Sequence, residues 1–393
     1  MVNENLTNAK RTKNDEFYTQ YPDIQKEIEA YLEYNPKVFS GKVVYCNCDD
    51  PYESNFFRYF VLNFNKLELK QLITTSYKPS PVANTQLGLF GDDKTIPRSK
   101  GRPKVNANKF IINEVYDIDG DGEFNLADVA KQLNANKHNE WAPLEGDGDF
   151  RSDECINLLE QSDIVVTNPP FSLFREYVKQ LYDYKLNIVI IGNLNAITYK
   201  EIFPLIKKDE LWLGNGFQGG NAYFYTPNTR DFASGVYDDK TGLVKFRNVC
   251  WFTNLDHGRR HQPLALMTME DNLKYSKHKK IKGKKSYEQY ENYDAIEVPY
   301  TDAIPSDYEG VMGVPISFLN KYNPDQFEIL GMCENEDLYS LKSKVYTSSE
   351  CKKAYFDKFG KEGTYDLNAS GVVARLGILE KVYQRILIKH KKL

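Results

Sequence analysis

Apolar and polar residues alternate along this chain in short blocks that read as strands and helices in turn. Lys42-Val43-Val44-Tyr45 and Leu69 to Thr75 are compact strand-like runs, and between them Tyr52 to Leu62 carries Phe56, Phe57, Tyr59 and Phe60 as an aromatic-rich helix. A strand–helix–strand unit is therefore complete by about residue 75. Ahead of it, Ile24, Ile28, Tyr31 and Leu32 mark one face of a helix. Further on, Ile164-Val165-Val166 and Leu186 to Gly192 are unbroken apolar runs, the pattern of parallel strands buried on both faces. Ser152 is placed to N-cap a helix over Cys155 to Leu159 before the first of these runs. Between them Phe174, Val178 and Leu181 form one stripe of a helix over Ser172 to Tyr184. Phe110 to Asp117 and Val382 to Ile388 read as further strands. Alternation of this kind predicts an α/β fold.

The stretch Asp163 to Phe171 adds chemistry to that frame. Asn168-Pro169-Pro170 must stop the strand, because neither proline has a backbone N–H and Pro169 holds Asn168 extended. A polar side chain is then presented on a stiff turn at the carboxyl end of a buried strand, where open α/β sheets place their ligands. An Asn side-chain oxygen and a proline carbonyl accept hydrogen bonds without donating in return, so they suit the two N–H bonds of an exocyclic aromatic amine. Holding those protons favours a tetrahedral nitrogen whose lone pair points at a methyl donor, and Phe171 can stack on the ring. Asn-Pro is also a common turn pair, so the tetrapeptide by itself is open to a purely structural reading.

The region from 78 to about 140 breaks the strand–helix rhythm and reads as an insertion. It carries Pro79, Pro81, Pro97 and Pro103 and a basic run containing Arg98, Lys100, Arg102 and Lys104. A loop of this length is functional or unstructured as a rule. Gly101-Arg102-Pro103 in basic flanks resembles an AT-hook, whose Arg lies in a narrow minor groove; a solvated basic loop accounts for the residues equally well. Asp117, Asp119, Asp121, Asn125 and Asp128, with Gly122 at the sixth place, match a calcium-binding loop. Asp128 replaces the bidentate Glu and a strand replaces the preceding helix, so an Asp/Gly turn capping a helix over Leu126 to Leu133 is the stronger expectation.

Length and composition narrow the class. At 393 residues one large domain or two is expected, with ample core. No apolar run approaches the ~20 residues that cross a bilayer, and the first seventeen residues hold no apolar signal core, so a cytoplasmic protein is expected. Six cysteines lack paired CxxC spacing, which argues for reduced thiols and against a zinc site. The net charge of −4 does not announce a nucleic-acid binder, but the cations are clustered. His257 to His261 includes Arg259 and Arg260, and Lys274 to Lys285, with Lys279, Lys280, Lys284 and Lys285, holds seven lysines in twelve residues. Phosphate is their expected partner.

Asn168-Pro-Pro-Phe171 resembles the amino-methyltransferases of DNA, and further blocks resemble the EcoRI-type DNA adenine-N6 methyltransferase family in particular. These are Asp15-Glu-Phe-Tyr-Thr19, Tyr45-Cys-Asn-Cys-Asp-Asp-Pro51, Gly148-Asp-Phe-Arg-Ser152, Asn221-Ala-Tyr-Phe-Tyr-Thr-Pro227, Trp251-Phe-Thr-Asn-Leu255, Met312-Gly-Val-Pro-Ile-Ser-Phe318 and Tyr322 to Gly331. The resemblance implies a Rossmann-like class I methyltransferase sheet spanning 1–245 with an insertion at about 78–140, and a mixed α/β DNA-recognition region over 246–393. It implies S-adenosylmethionine as methyl donor and no catalytic metal. Phe17, Tyr18 and Thr19 would line its methionine side. Asp49, Asp50 and Pro51 would form its loop, Thr75 and Ser76 would follow the second strand, and Asp149 and Phe150 would face its adenine. The loop after the first strand has no glycine, a departure from the D-x-F-x-G-x-G of most such enzymes.

Asn168, Pro169, Pro170 and Phe171 would hold the target base. A target inside a duplex must be turned out of the stack, at a cost of a few kcal/mol, and Phe171, Tyr223 and Phe224 are available to replace lost stacking. The expected partner is double-stranded DNA, with no membrane, a monomeric enzyme, and a cognate restriction endonuclease encoded nearby but not bound. Two rivals remain open at this stage: a catalytically degenerate DNA-binding homologue, and an RNA or protein-amide N-methyltransferase.

Overall fold

A computed structural model describes residues 17–48, 54–76, 107–118, 120, 124–125, 128–129, 131–132, 138–217, 221–226, 232 and 234–391. The chain divides into two compact units, Met1–Gly258 and Arg259–Leu393.

In the first unit the strands are β1 (Tyr18–Thr19), β2 (Val43–Cys46), β3 (Gln71–Thr75), β4 (Asn108–Ile112), β5 (Glu140–Pro143), β6 (Ile164–Thr167), β7 (Asn187–Asn193), β8 (Trp212–Leu213), β9 (Asn221–Tyr225), β10 (Tyr237–Asp238), β11 (Leu243–Arg247) and β12 (Val249–Thr253). The helices are α1 (Tyr21–Tyr34), α2 (Asn55–Leu62), α3 (Asp153–Glu160), α4 (Phe174–Asp183) and α5 (Phe203–Lys207). Among the described residues one sheet has eight strands in the order β5-β4-β3-β2-β6-β7-β12-β8. Its centre, β3-β2-β6-β7, is parallel, and β4, β5, β12 and β8 join antiparallel at the two edges. The fold is thus mixed α/β as expected, with more antiparallel pairing than the apolar runs suggested.

The parallel centre follows from residue type. Val44, Ile164, Val165, Val166, Val189, Ile190 and Ile191 are all fully buried, and each such side chain stabilises by about 1.5–3 kcal/mol. Ser152 accepts the Cys155 N–H and starts α3 where the sequence placed a cap. Asp163 locks the start of β6 beside β2, its carboxylate accepting the Val43 N–H at 2.8 Å. Because β12 pairs with β7 along its whole length, the first unit continues past residue 245 to Gly258. A second sheet, β1-β9-β11-β10, is antiparallel. The six cysteines are all free. No helix among the described residues is long and apolar enough to cross a membrane.

The second unit holds a sheet in the order β13-β14-β15-β19-β16, built from β13 (Glu288–Gln289), β14 (Ile296–Glu297), β15 (Met312–Pro315), β16 (Phe327–Met332) and β19 (Arg385–His390). The terminal strand therefore begins three residues later than its sequence suggested. Helices α6 (Met269–Tyr275) and α7 (Ser348–Phe359) and the hairpin β17 (Val372–Arg375) and β18 (Ile378–Lys381) complete the unit. A buried ion pair crosses the sheet: Arg385 donates from Nε at 3.1 Å and from Nη2 to Glu297, and the Tyr290 hydroxyl donates to the same carboxylate.

Removing one member strands the other's charge in the interior, which costs about 3–5 kcal/mol, whereas replacing both with apolar residues costs far less. Arg385→Met alone is expected to lower urea stability by about 3–5 kcal/mol. The Glu297→Met/Arg385→Met double variant should recover most of that loss in the same urea titration.

Candidate active site

The chain leaves β2 to build β3 on one side and later places β6 on the other side of β2. That reversal is a topological switch point, and the carboxyl ends of β2 and β6 flank the crevice such a sheet opens. Side chains lace the strand ends together. Thr167 at the end of β6 donates its hydroxyl to the Asn47 carbonyl just beyond β2. Asn47 Oδ1 accepts from the Cys48 N–H at 2.7 Å and from the Thr75 hydroxyl at 3.1 Å, and Thr75 meets the Tyr45 hydroxyl at 3.0 Å. Burial pushes the Tyr45 phenol well above its ordinary range, so it stays protonated. The Thr75 hydroxyl, expected at the cofactor, is fully buried and joins the ends of β2 and β3.

Asn168 follows β6 directly. Its Nδ2 donates to the main-chain carbonyl of Phe17 at 2.6 Å, which settles the orientation of the amide, since only the NH2 end can donate. The opposite end, Oδ1, is buried and has no hydrogen-bond partner among the described residues. The turn cannot supply one, because residues 169 and 170 lack N–H groups. The Pro170 carbonyl accepts the Leu173 N–H at 2.9 Å and opens a 3₁₀ turn over Phe171–Leu173, so α4 starts at Phe174. Among the described residues no hydrogen bond is made to the Pro169 carbonyl. The turn thus presents two acceptors, one of them a buried orphan.

Aromatic rings surround this point. Phe17 lies 6.4 Å from Phe171 with planes 21° apart, and Phe246 meets Phe17 edge-on at 4.7 Å and Phe171 at 6.5 Å. Fully buried Phe224 supports Phe17 at 6.3 Å and Phe246 at 5.6 Å, while Tyr223 is exposed beneath the Lys245 ammonium. The second sheet makes this arrangement: β1 pairs with β9, so Tyr18 lies opposite Tyr225 and Thr19 opposite Phe224. Two sequence blocks some two hundred residues apart are therefore strand partners. Asn55 Nδ2 holds the Thr19 carbonyl at 2.7 Å, tying β1 to the start of α2.

Gly148 brings the third segment in. Its φ is +75°, and a Cβ there would lie 1.9 Å from the Ser76 carbonyl oxygen and 2.9 Å from the Ala107 methyl. Only glycine allows the 148–150 turn to press onto the end of β3. Ser76 itself is anchored, its Oγ accepting the Asn108 N–H at 2.8 Å. Asp149 is clamped by Arg151, which donates Nε to Oδ1 at 2.9 Å and Nη2 to Oδ2 at 2.6 Å and holds the carboxyl below its ordinary range. Phe150 is buried edge-on against Tyr177 at 4.9 Å, with its carbonyl held by Gln180.

Of the remaining expected residues, Asp49, Asp50 and Pro51, the run Arg98, Lys100, Arg102 and Lys104, and Asp119 and Asp121 lie outside the described residues. Asp117 accepts the Gly120 N–H, and buried Asp128 accepts the N–H groups of Ile118 and Asn125, so both act locally as turn and cap residues. Among the described residues no group of three metal-ligating side chains converges. In the second unit Lys279, Lys280, Lys284 and Lys285 are exposed, whereas Arg260 is buried. Sequence reasoning missed Asn47, Phe246 and the role of Gly148. Asn47 stood inside a quoted block, and Phe246 had no motif to mark it.

Gly148→Ala places a side chain in left-handed backbone and against a carbonyl, a cost of about 2 kcal/mol or more. Its melting temperature should fall by about 5 °C or more, read by thermal denaturation beside the wild type.

Comparison with known proteins bears on this geometry. The chain is 42% identical over 332 residues to the type II methyltransferase M.EcoRI of Escherichia coli, covering 84% of this chain and 89% of that protein. It is 34% identical to the type II methyltransferase M.MpnI of Mycoplasma pneumoniae, covering 87% and 90%, and 33% identical to M.MgeORF184P of Mycoplasma genitalium, covering 86% and 90%. No solved structure matches it. The model of the family described as "Adenine-specific methyltransferase EcoRI" matches residues 5–391, and the protein that carries this acceptor turn belongs to that family of adenine-specific methyltransferases.

Proposed function

We propose that this DNA adenine methyltransferase acts site-specifically on N6 of an adenine turned out of duplex DNA, with Asn168 at the centre of the reaction and a Rossmann-like class I sheet as its scaffold. The observation that carries the reading is the orphaned, buried Oδ1 of Asn168, fixed as an acceptor by the Phe17 carbonyl. With the Pro169 carbonyl it offers two acceptors to the two N–H bonds of an exocyclic amine, the donor set the chemistry asks for. Phe171 and its aromatic neighbours suit a flat heterocycle. By accepting the amine's two N–H bonds, Asn168 and Pro169 favour a tetrahedral nitrogen, take its lone pair out of conjugation with the ring and direct it at the methyl donor. No general base is needed beforehand, because the proton leaves after the nitrogen–carbon bond forms. Positioning supplies most of the rate.

S-adenosylmethionine supplies an electrophilic methyl group on a sulfonium. The residues present fit such a donor: the ends of β2 and β3, with the Gly148 turn pressed onto Ser76, stand beside the end of β6 that carries Asn168. Phe17, Tyr18, Thr19, Ser76 and main-chain groups of Asp149 and Phe150 would hold it, together with Asp49, Asp50 and Pro51. Thr75 and the Asp149 carboxylate contribute by bracing the site, because their polar atoms are already engaged. We assign target recognition to the second unit, whose exposed lysines suit phosphate, and the modification role of a restriction–modification pair to the whole, in the cytoplasm.

Asn168→Ala should lower single-turnover methyl transfer by about 10²–10³-fold, the loss typical of one transition-state contact, while donor affinity stays within about tenfold. Tritium transfer and equilibrium binding read the two, and near-normal transfer by the variant would remove Asn168 from the role. Duplex DNA should outcompete RNA as acceptor. Replacing Lys279, Lys280, Lys284 and Lys285 with Ala should reduce the salt slope of duplex binding by about 0.9 for each phosphate that is no longer neutralised; an unchanged slope in a filter-binding titration would clear those lysines of phosphate contact. Deleting 98–104 is expected to act in the same direction.

A further inference from the structure

The hairpin of the second unit carries a residue that its fold does not ask for. β17 and β18 join through two residues, with Arg375 paired to Ile378, and both Leu376 (φ 53°) and Gly377 (φ 79°) are left-handed. This is a type I′ turn, whose first place ordinarily belongs to Asn, Asp or Gly. A leucine there sets its Cβ against the following carbonyl. Leu376 is also completely exposed, at 103% of its reference surface, so no packing offsets the backbone conformation. An apolar side chain disfavoured by both its backbone and its solvent has its use outside the folded chain.

The tip is held stiffly. Arg375 donates Nε and Nη2 to the two oxygens of Glu288 on β13 at 2.9 and 2.6 Å and Nη1 to Glu380 of β18 at 3.0 Å, so its charge is met and the hairpin is tied to the sheet. Lys358 of α7 adds an ion pair to Glu380 at 3.0 Å, and the Tyr365 hydroxyl holds the Leu379 carbonyl at 2.7 Å. Val372 and Val373 are fully buried beneath. Beside this arm runs a groove of about 720 Å³, lined by Lys381 and Tyr383 on the hairpin side, by Lys279, Lys280 and Lys284, and by Glu288, Glu297 and Glu380, whose charges are met by Arg375 and Arg385. Lys279, Lys280 and Lys284 make no ion pair within 4 Å among the described residues, and Tyr383 is almost fully exposed. Cations left open next to one rigid apolar point fit a polyanion with a stacked apolar interior: phosphates on the lysines, and a wedge between bases.

We propose that Leu376 enters a base step of the bound duplex and unstacks it. The proposal rests on the reading of duplex DNA as the acceptor and names the residue that deforms it. Leu376→Ala removes the wedge, and Leu376→Asn removes it while suiting the turn. After the recognition site is mapped by methylation-sensitive sequencing, 2-aminopurine is scanned through it and single-turnover methylation is followed with full-length enzyme. Both variants should melt at or above the wild-type temperature and bind duplex within about fivefold. They should lose the fluorescence rise that wild type produces at one step, and methylate at least tenfold more slowly. A duplex already unstacked at that step by an abasic site should restore the rate.

Unchanged fluorescence and rate in the variants, with wild type active on duplex DNA, would overturn the wedge alone. A lowered melting temperature without rescue would make Leu376 a structural residue. Concentration-dependent dimerisation of wild type that both variants abolish would assign the tip to a second copy of the chain. Wild type that methylates RNA and not duplex DNA would instead overturn the acceptor reading and the wedge with it.

Discussion

The hydrogen bond from Asn168 Nδ2 to the Phe17 carbonyl decides which end of this carboxamide is left unpaired. A carboxamide can present either end to a ligand, and the two ends have opposite character. Pinning the NH2 to a main-chain acceptor leaves the oxygen as the unpaired end, and no side-chain rearrangement can reverse it without losing the bond. A carboxylate at the same position would meet the Phe17 carbonyl with two acceptors and be repelled. The small sheet β1-β9-β11-β10 and the grip of Asn55 on Thr19 matter because they set where that carbonyl lies. The two-residue strand β1 is too short to hold itself in place; its pairing with β9 and its link to α2 do so.

An unpaired buried acceptor costs about 1–3 kcal/mol, so its persistence needs a cause. Pro169 and Pro170 provide it. In an ordinary turn a following N–H would swing in and satisfy Oδ1; here the next two residues have none, and the N–H of Leu173 in the 3₁₀ turn is engaged by the Pro170 carbonyl. The same two rings that end the strand therefore leave the acceptor without a main-chain donor. The instability is carried by the buried apolar runs Ile164–Val166 of β6 and Ile188–Ile191 of β7 beneath it, whose burial is large enough to hold one unfavourable group in place.

Much of this frame was legible from the chain because it depends on local residue types. β2, β6 and β7 appear as β-branched runs with no polar face, the cap at Ser152 as a hydroxyl before an apolar repeat, and the turn at Asn168 as two prolines. What was not legible depends on contacts between distant segments. Nothing in residues 17–19 announces a strand partner at 224–225, and Phe246 is one aromatic among fifty-three. The antiparallel insertion of β12 between β7 and β8 has no local signature either. Thr75 and Asp149 show a subtler gap: the resemblance assigns both to the methyl donor, but whether a polar side chain faces a ligand or a neighbour is decided by Tyr45, Asn47 and Arg151. Gly148 stands in the sequence as one member of a block and in the structure as a contact surface, since the missing Cβ is what lets a carbonyl approach.

On the function proposed here, two acceptors and a set of aromatic rings would bind any planar heterocycle with an exocyclic amine, so the turn at Asn168 would supply reactivity with little selectivity of its own. On the reading proposed above, discrimination among duplex sites has to come from contacts made elsewhere, each wrong base pair costing about 1–3 kcal/mol. With a net charge of −4, the chain attracts a polyanion only through local concentrations of cation. The lysines between 274 and 285 are such a concentration, and those at 279, 280, 284 and 285 are exposed rather than drawn into internal ion pairs. Phosphate contacts hold a duplex in register without reading it. A rigid apolar tip reads it indirectly, because the cost of opening a step depends on how strongly its bases stack. The two kinds of contact are therefore complementary: lysines give affinity that fades with salt, and deformation gives a preference that salt does not erase.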